Sequence, residues 1–291
     1  MRSNSTSTHV CGLCVSVCVD ASKSNIEPMR RMSNIFIQSA KLYKMTKVEL
    51  YKSRVFVTII HLCALGQFAY GLYYSSFEVQ RSYKLKTSFS RRLVPETFPQ
   101  KLRFLSYWSL IIQALYYVVS LVNDFVGTNE LVPRRAPAIR KFKDWLLSTL
   151  AFPVALNVGI TFWTLYAIDR ELVFPKVLDP VFPSWLNHVL HTNIVVFIVL
   201  EMFTSYRAYP TRSKGLTGLT IFMGSYLVWI HIIKHYSNVW VYPVLEVLQL
   251  PQRILFFAAV LGFTFALYLL GEFINNVVWA KEVKLSLRKS K

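Results

Sequence analysis

Apolar residues gather along this chain in six long runs: Val55–Tyr74, Phe104–Val122, Trp145–Ile168, Trp185–Phe203, Leu216–Ile233 and Ile254–Trp279. Each is about 18–26 residues, enough at about 1.5 Å per residue to cross a hydrocarbon core of about 30 Å. None shows the two-residue alternation of a membrane strand, and an open sheet edge cannot face lipid. Gly66, Pro153 and Gly262 fall inside runs, where membrane helices tolerate them. The sixth run carries Glu272, Asn275 and Asn276 near its end, so its lipid-facing part is expected to stop near Leu270. The pattern predicts an all-α membrane protein, a bundle of six transmembrane helices spanning residues 51–280. Residues 1–50, polar, Ser-rich and basic, read as a disordered extension with a short helical stretch at Ile35–Tyr43, and residues 281–291 as a basic tail.

Composition sharpens this picture. Hydrophobic residues make up 54% of the chain and charged residues 16%, and seven Trp and sixteen Tyr suit rings placed at lipid–water boundaries. The net charge of +18 could suggest nucleic acid. Its Lys and Arg, however, sit in short segments between the runs, and no soluble basic module is recognisable, so no nucleic-acid partner is expected. Six spans put both termini on one side with the second-to-third and fourth-to-fifth loops. That side holds Lys41–Arg54, Arg134–Lys143, Arg207–Lys214 and the Lys281–Lys291 tail. The opposite side holds Arg170, Lys176 and Arg253, with the Arg81–Arg103 loop as the exception. The excess places both termini in the cytosol, in the endoplasmic reticulum or plasma membrane. Cys11, Cys14 and Cys18 form C-x2-C-x3-C without a fourth ligand at finger spacing, which reads as tail rather than metal site. Arg2 ahead of Val10–Val19 is a poor signal peptide with no clear cleavage site.

Polar side chains within the spans are expensive and are therefore candidates for function. They fall in two layers. Ser106 of the second span, Asn187, His188 and His191 of the fourth, and His231 and His235 of the fifth lie near one membrane face. Asn123, Asp124, Glu201, Glu272, Asn275 and Asn276 lie near the other, where linking helices by hydrogen bonds is their expected role. Asn187, His188 and His191 are three or four residues apart and share a helix face. A neutral His beside a Ser can take the hydroxyl proton as the oxygen attacks an ester carbonyl. Asn187, Asp169 or Asp179 could orient that base. Against this, a Ser in a membrane helix usually bonds a backbone carbonyl one turn back. His188, His191 and His235 could instead hold a metal, although two His on one helix are a weak signature; the reading adopted here takes no metal and no cofactor.

These residues lie in recognisable strings: FLSYWSLIIQ at Phe104–Gln113, DWLLSTLAFPV at Asp144–Val154, DRELVFPKVLD at Asp169–Asp179, WLNHVLHT at Trp185–Thr192, WVYPVLE at Trp240–Glu246 and LLGEFINN at Leu269–Asn276. In order and spacing they resemble the androgen-induced gene family, which includes the androgen-dependent TFPI-regulating protein, over roughly Arg54 to Ala280. The resemblance implies a multi-spanning hydrolase of fatty acid esters of hydroxy fatty acids, with an intramembrane Thr nucleophile and a His. The family's Thr falls on Ser106 and its His on His191. Ser keeps the hydroxyl and is less hindered.

Two functions follow. The first is a lipid esterase using Ser106 and His191, supported by Asn187, His188 and His235, on a substrate that enters from the membrane. The second is a non-catalytic membrane protein that binds lipid or regulates a partner. On topology the expectation is sharper. Tags at both termini should be protected from protease added outside sealed membranes, and a tag cut at one end alone would refute the even span count.

Overall fold

A computed structural model of the chain describes residues 54–86, 101–180 and 182–289. Its helices are α1 (Arg54–Lys86), α2 (Leu105–Val126), α3 (Ala138–Ile168), α4 (Ser184–Thr204), α5 (Arg212–Ser237), the short α6 (Pro243–Val247) and α7 (Leu250–Lys289). The described residues contain no strand, and all of these helices except α6 are long and apolar enough to cross a membrane. The chain is a multi-pass membrane protein with an all-α fold. The expected extension and the C-x2-C-x3-C segment lie outside the described residues.

The helices overrun the apolar runs that announce them. α1 continues past Tyr74 to Lys86, α3 begins at Ala138 rather than Trp145, and α7 carries the expected tail as helix to Lys289. Lys, Arg and Glu are good helix formers, so leaving hydrocarbon does not end a helix. Specific stops do. Gly127 follows α2, Pro137 and Pro183 precede α3 and α4, and Asn238 closes α5 in the left-handed region at φ 58°.

Two helices are locally wide. α3 contains a π turn at Leu147–Ala151, directly before Pro153, which offers no N–H to the ladder. α4 contains another at Val189–Asn193, around His191. Such turns insert one extra residue per turn and recur at functional sites. α2, α3 and α4 form the interior; α1 lies along α2, α7 along α3, and α5 against the first π turn.

The end of the bundle away from Ser106 is closed by buried charge. Glu201 of α4 pairs with Arg207, and both side chains are fully buried. Glu201 also accepts from Tyr116 at 2.9 Å and Ser205 at 3.0 Å. His61 of α1 faces Asp124 with Nδ1 at 2.6 Å and Glu201 with Nε2 at 3.2 Å. Arg140 pairs with Asp144, and Asn275 of α7 bonds both the N–H and the C=O of Arg207. Burial opposes the charge on Arg207, but Tyr116, Glu201 and Asp144 around it hold its guanidinium above the ordinary value. Of the three acids expected to link helices, Asp124 and Glu201 share His61 in this way. Glu272 instead meets the exposed Arg212 at 2.8 Å.

Removing one member of a buried ion pair strands the other charge, at about 3–5 kcal/mol. Arg207→Met should therefore lower stability by about that much in detergent unfolding. Adding Glu201→Gln should recover part of the loss, since contacting residues are non-additive. Additive losses would mean that the two groups do not act as a pair.

Candidate functional site

α2 starts under an unusual constraint. The Leu105 N–H donates to the hydroxyls of Tyr226 at 3.0 Å and Tyr242 at 2.9 Å. Tyr226 in turn donates to the Arg103 carbonyl at 2.9 Å. The Leu102 carbonyl accepts two indole N–H groups, from Trp108 at 2.5 Å and Trp229 at 3.0 Å. Leu102 and Arg103 stand four and three residues before Ser106, so their carbonyls are the ones its hydroxyl would ordinarily use. Both already accept other donors. Ser106 makes no hydrogen bond to a described residue, in contrast to Ser148, Thr220 and Thr264, which bond carbonyls one turn back. Burial pushes the Tyr242 hydroxyl up, which keeps it protonated as a donor.

Ser106 borders a cavity of about 520 Å³ whose other walls come from α3, α4, α5, α6 and α7. His191 borders the same cavity. The two side chains make no direct hydrogen bond to each other. The His191 ring is buried and lies flat on Phe162, with centroids 3.5 Å apart and an interplanar angle of 8°. Its Nδ1 is 2.8 Å from Asn187 Oδ1 and 3.0 Å from the Asn187 backbone O. A carbonyl oxygen only accepts, so Nδ1 carries the proton, and Nε2, without a partner among the described residues, keeps its lone pair. Gly159 of α3 permits the close approach here: a Cβ would come within 2.7 Å of the His191 carbonyl.

Of the three residues considered as orienters of His191, Asn187 is the one in contact. Asp179 pairs with Arg170 at 2.6 Å, and Asp169 accepts the Glu171 N–H at 2.9 Å. His188 stacks on Trp163 and bonds Thr192, outside the cavity wall. His235 borders a separate shallow groove with His231 and Tyr236. Among the described residues no three His, Cys, Asp or Glu side chains gather so as to hold a metal ion. His231 does line the main cavity, its Nδ1 donating to the Leu227 carbonyl at 2.8 Å.

Sequence reasoning missed a polar rung in the cavity wall. Thr161 donates to Asn157 at 2.9 Å, and Asn157 donates to Thr264 of α7 at 2.5 Å. Asn157 and Thr161 stand four apart in an apolar run, a spacing that could have revealed them. Over the cavity, the Trp240 N–H and then Lys234 hold the Glu246 carboxyl below its ordinary value, against slight burial. That bond ties the turn before α6 to the segment carrying Tyr242, Val244 and Leu245 into the cavity wall.

The sequence pattern described as FAR-17a/AIG1-like protein matches residues 56–276. The chain belongs to this family. It is 37% identical to human androgen-induced gene 1 protein over 202 residues, 67% of this chain and 85% of that protein. It is 35% identical to mouse androgen-dependent TFPI-regulating protein over 191 residues, 65% of this chain and 81% of that protein. No solved structure matches. The family match takes in every residue of the cavity wall and of the buried charge cluster.

The tautomer of His191 is open to direct measurement. In ¹⁵N-histidine NMR spectra His191 should show a protonated Nδ1 and an unprotonated Nε2. Asn187→Ala should weaken that preference by about 1 kcal/mol, the net value of one neutral hydrogen bond, while the backbone carbonyl still holds it. A protonated Nε2 in the unaltered chain would rule out His191 as a base through that nitrogen.

Proposed function

We propose that the chain is an intramembrane hydrolase of lipid esters, with Ser106 as nucleophile, His191 as general base and Asn187 as the group that positions the base. The observation that carries this reading is the shared cavity. A serine hydroxyl without an intrahelical acceptor and an imidazole with a free Nε2 border one space, and that space is otherwise almost wholly apolar. Its wall includes exposed residues of α5 (Thr220) and α7 (Ile254, Ala258), so it opens on the lipid-facing surface between these helices. A substrate with long acyl chains can enter there without crossing water. The family resemblance favours fatty acid esters of hydroxy fatty acids, in which an internal ester sits between two apolar arms.

The chemistry follows from these positions. Nε2 of His191 takes the proton of Ser106 as Oγ bonds to the ester carbonyl carbon. The carbonyl oxygen becomes an oxyanion, to which the Ser106 backbone N–H, in the first turn of α2 with no acceptor among the described residues, can donate. Collapse breaks the bond to the alcohol oxygen, which leaves with the proton held on His191. Water, deprotonated by the same nitrogen, then attacks the acyl carbon and releases the acid and Ser106. The missing Ser106–His191 hydrogen bond is compatible with this course, because such contacts commonly close only around substrate.

Ser106→Ala should abolish hydrolysis of a hydroxy-fatty-acid ester by the purified protein and its labelling by a fluorophosphonate. Ser106→Thr should retain activity. His191→Ala should cost about as much as Ser106→Ala and the double variant little more, because residues acting as a unit are non-additive. His188→Ala should do less. If the unaltered chain neither hydrolyses the ester nor takes up the label, the lipid-binding or regulatory reading replaces this one.

A further inference from the structure

α2 carries a second feature that the ester chemistry leaves unused. From Ser106 toward the opposite end, Ser109, Gln113, Tyr117, Ser120 and Asn123 recur three or four residues apart on its inward face, and all five are fully buried. The outward face carries the exposed Leu115, Val118 and Val122. From Ser106 to Asp124 the stripe covers about 27 Å at about 1.5 Å per residue, close to the about 30 Å thickness of a hydrocarbon core.

A stripe that only glued helices together would have its polar atoms paired. Part of this one is paired: Gln113 donates its amide to the Ala151 carbonyl at 2.9 Å, in the π turn of α3. Yet Ser109 Oγ, Gln113 Oε1, Tyr117 OH and Asn123 Oδ1 are all buried with no protein partner among the described residues. So is Thr149 Oγ1, from the same π turn that Gln113 contacts. A buried polar atom left dry is costly, because it has given up its hydrogen bond to water for none in the protein. Protein interiors meet this demand with buried water, which needs a polar lining such as this. The stripe begins at Ser106 in the cavity wall and ends at Asp124, whose carboxylate is held between His61 at 2.6 Å and Asn129 at 2.7 Å, next to the exposed Phe125 and Val126.

We propose that the inward face of α2 is a hydrated path that delivers water to the acylated Ser106 from the Asp124 end of the bundle. This rests on the hydrolase reading and extends it. Each turnover consumes one water: its oxygen bonds to the acyl carbon as the bond to Ser106 Oγ breaks, one proton returns to Oγ through His191, and the other leaves with the product acid. The cavity mouth faces lipid, and apart from groups such as Asn157, Thr161 and His231 its lining is apolar, so that side is the poorer source of water. Ser109, Gln113 and Tyr117 are positioning residues for the water, not catalytic ones.

The test separates acylation, which needs no water, from deacylation, which does. In Gln113→Met, of similar volume, and in Ser109→Ala, fluorophosphonate labelling of Ser106 should stay within about twofold of the unaltered chain. Ester turnover should fall at least tenfold, and acyl-Ser106 should accumulate in intact-protein mass spectra. Labelling and turnover that fall together, or turnover that holds with no acyl-enzyme, would overturn the path. Radiolytic hydroxyl-radical labelling of the unaltered chain decides hydration independently of activity and of variant folding. Tyr117 should oxidise readily despite its burial, whereas the equally buried Phe152 of α3 should not. A Tyr117 as inert as Phe152 would sink the path while leaving the hydrolase reading intact. Failure of Ser106 to label in the unaltered chain would sink the hydrolase reading instead.

Discussion

Hydrocarbon offers no solvation to a charge, so a carboxylate and a guanidinium inside it must find each other. The Glu201–Arg207 pair meets that demand, and much of the bundle is arranged around it. Tyr116 from α2, His61 from α1 and the Ser205 hydroxyl just beyond α4 all turn toward the Glu201 carboxylate. Asn275 from α7 grips the Arg207 backbone. Four helices are therefore registered against one ion pair. Among the described residues, the opposite end of the same helices carries no comparable buried ion pair and contains the cavity instead.

The two ends thus do different work. At the charged end, the Glu201 carboxylate is engaged by donors from several elements at once, which fixes rotation and depth of the helices. At the Ser106 end, Trp108, Tyr226 and Trp229 occupy the Leu102 and Arg103 carbonyls before α2, and Tyr226 and Tyr242 take its Leu105 N–H. What they leave unsaturated is the serine hydroxyl. The His191 ring is immobilised similarly, by Phe162 on its face and Asn187 at one nitrogen, so that freedom remains at the other nitrogen alone.

Much of this was legible in the sequence. Six helices follow from run length, because lipid demands internally satisfied backbone, and the shared face of Asn187 and His191 follows from their four-residue spacing, though spacing alone leaves Asp169 and Asp179 equally open as partners of the base. Ser106 and His191 were placed at one depth by counting from the run ends, and they border one cavity. Other features were not legible. Arg207 stands just past an apolar run and looks like one more topogenic loop cation, yet it is fully buried, because the chain after α4 turns back beneath the bundle to meet Glu201. His61 is a lone imidazole in the first run whose importance depends on Asp124 and Glu201, distant in sequence. The polar stripe of α2 was available as a helical period in an apolar run, but its unpaired atoms emerge only from packing. Nothing in the residue pattern announces either π turn.

The π turn at Val189–Asn193 makes α4 two helices with different bearings. One regular turn advances about 100° per residue, so the extra residue rotates everything beyond it by about that angle relative to a uniform helix. His191, held by Asn187, can then look toward the cavity while Glu201, on the same helix, looks toward α1 and α2. The chain length across that turn is consequently part of the specification. A substitution there alters one side chain, but loss of a single residue would wind the turn into ordinary α-helix and swing Glu201 away from Arg207. In this segment the number of residues is constrained more tightly than their identity.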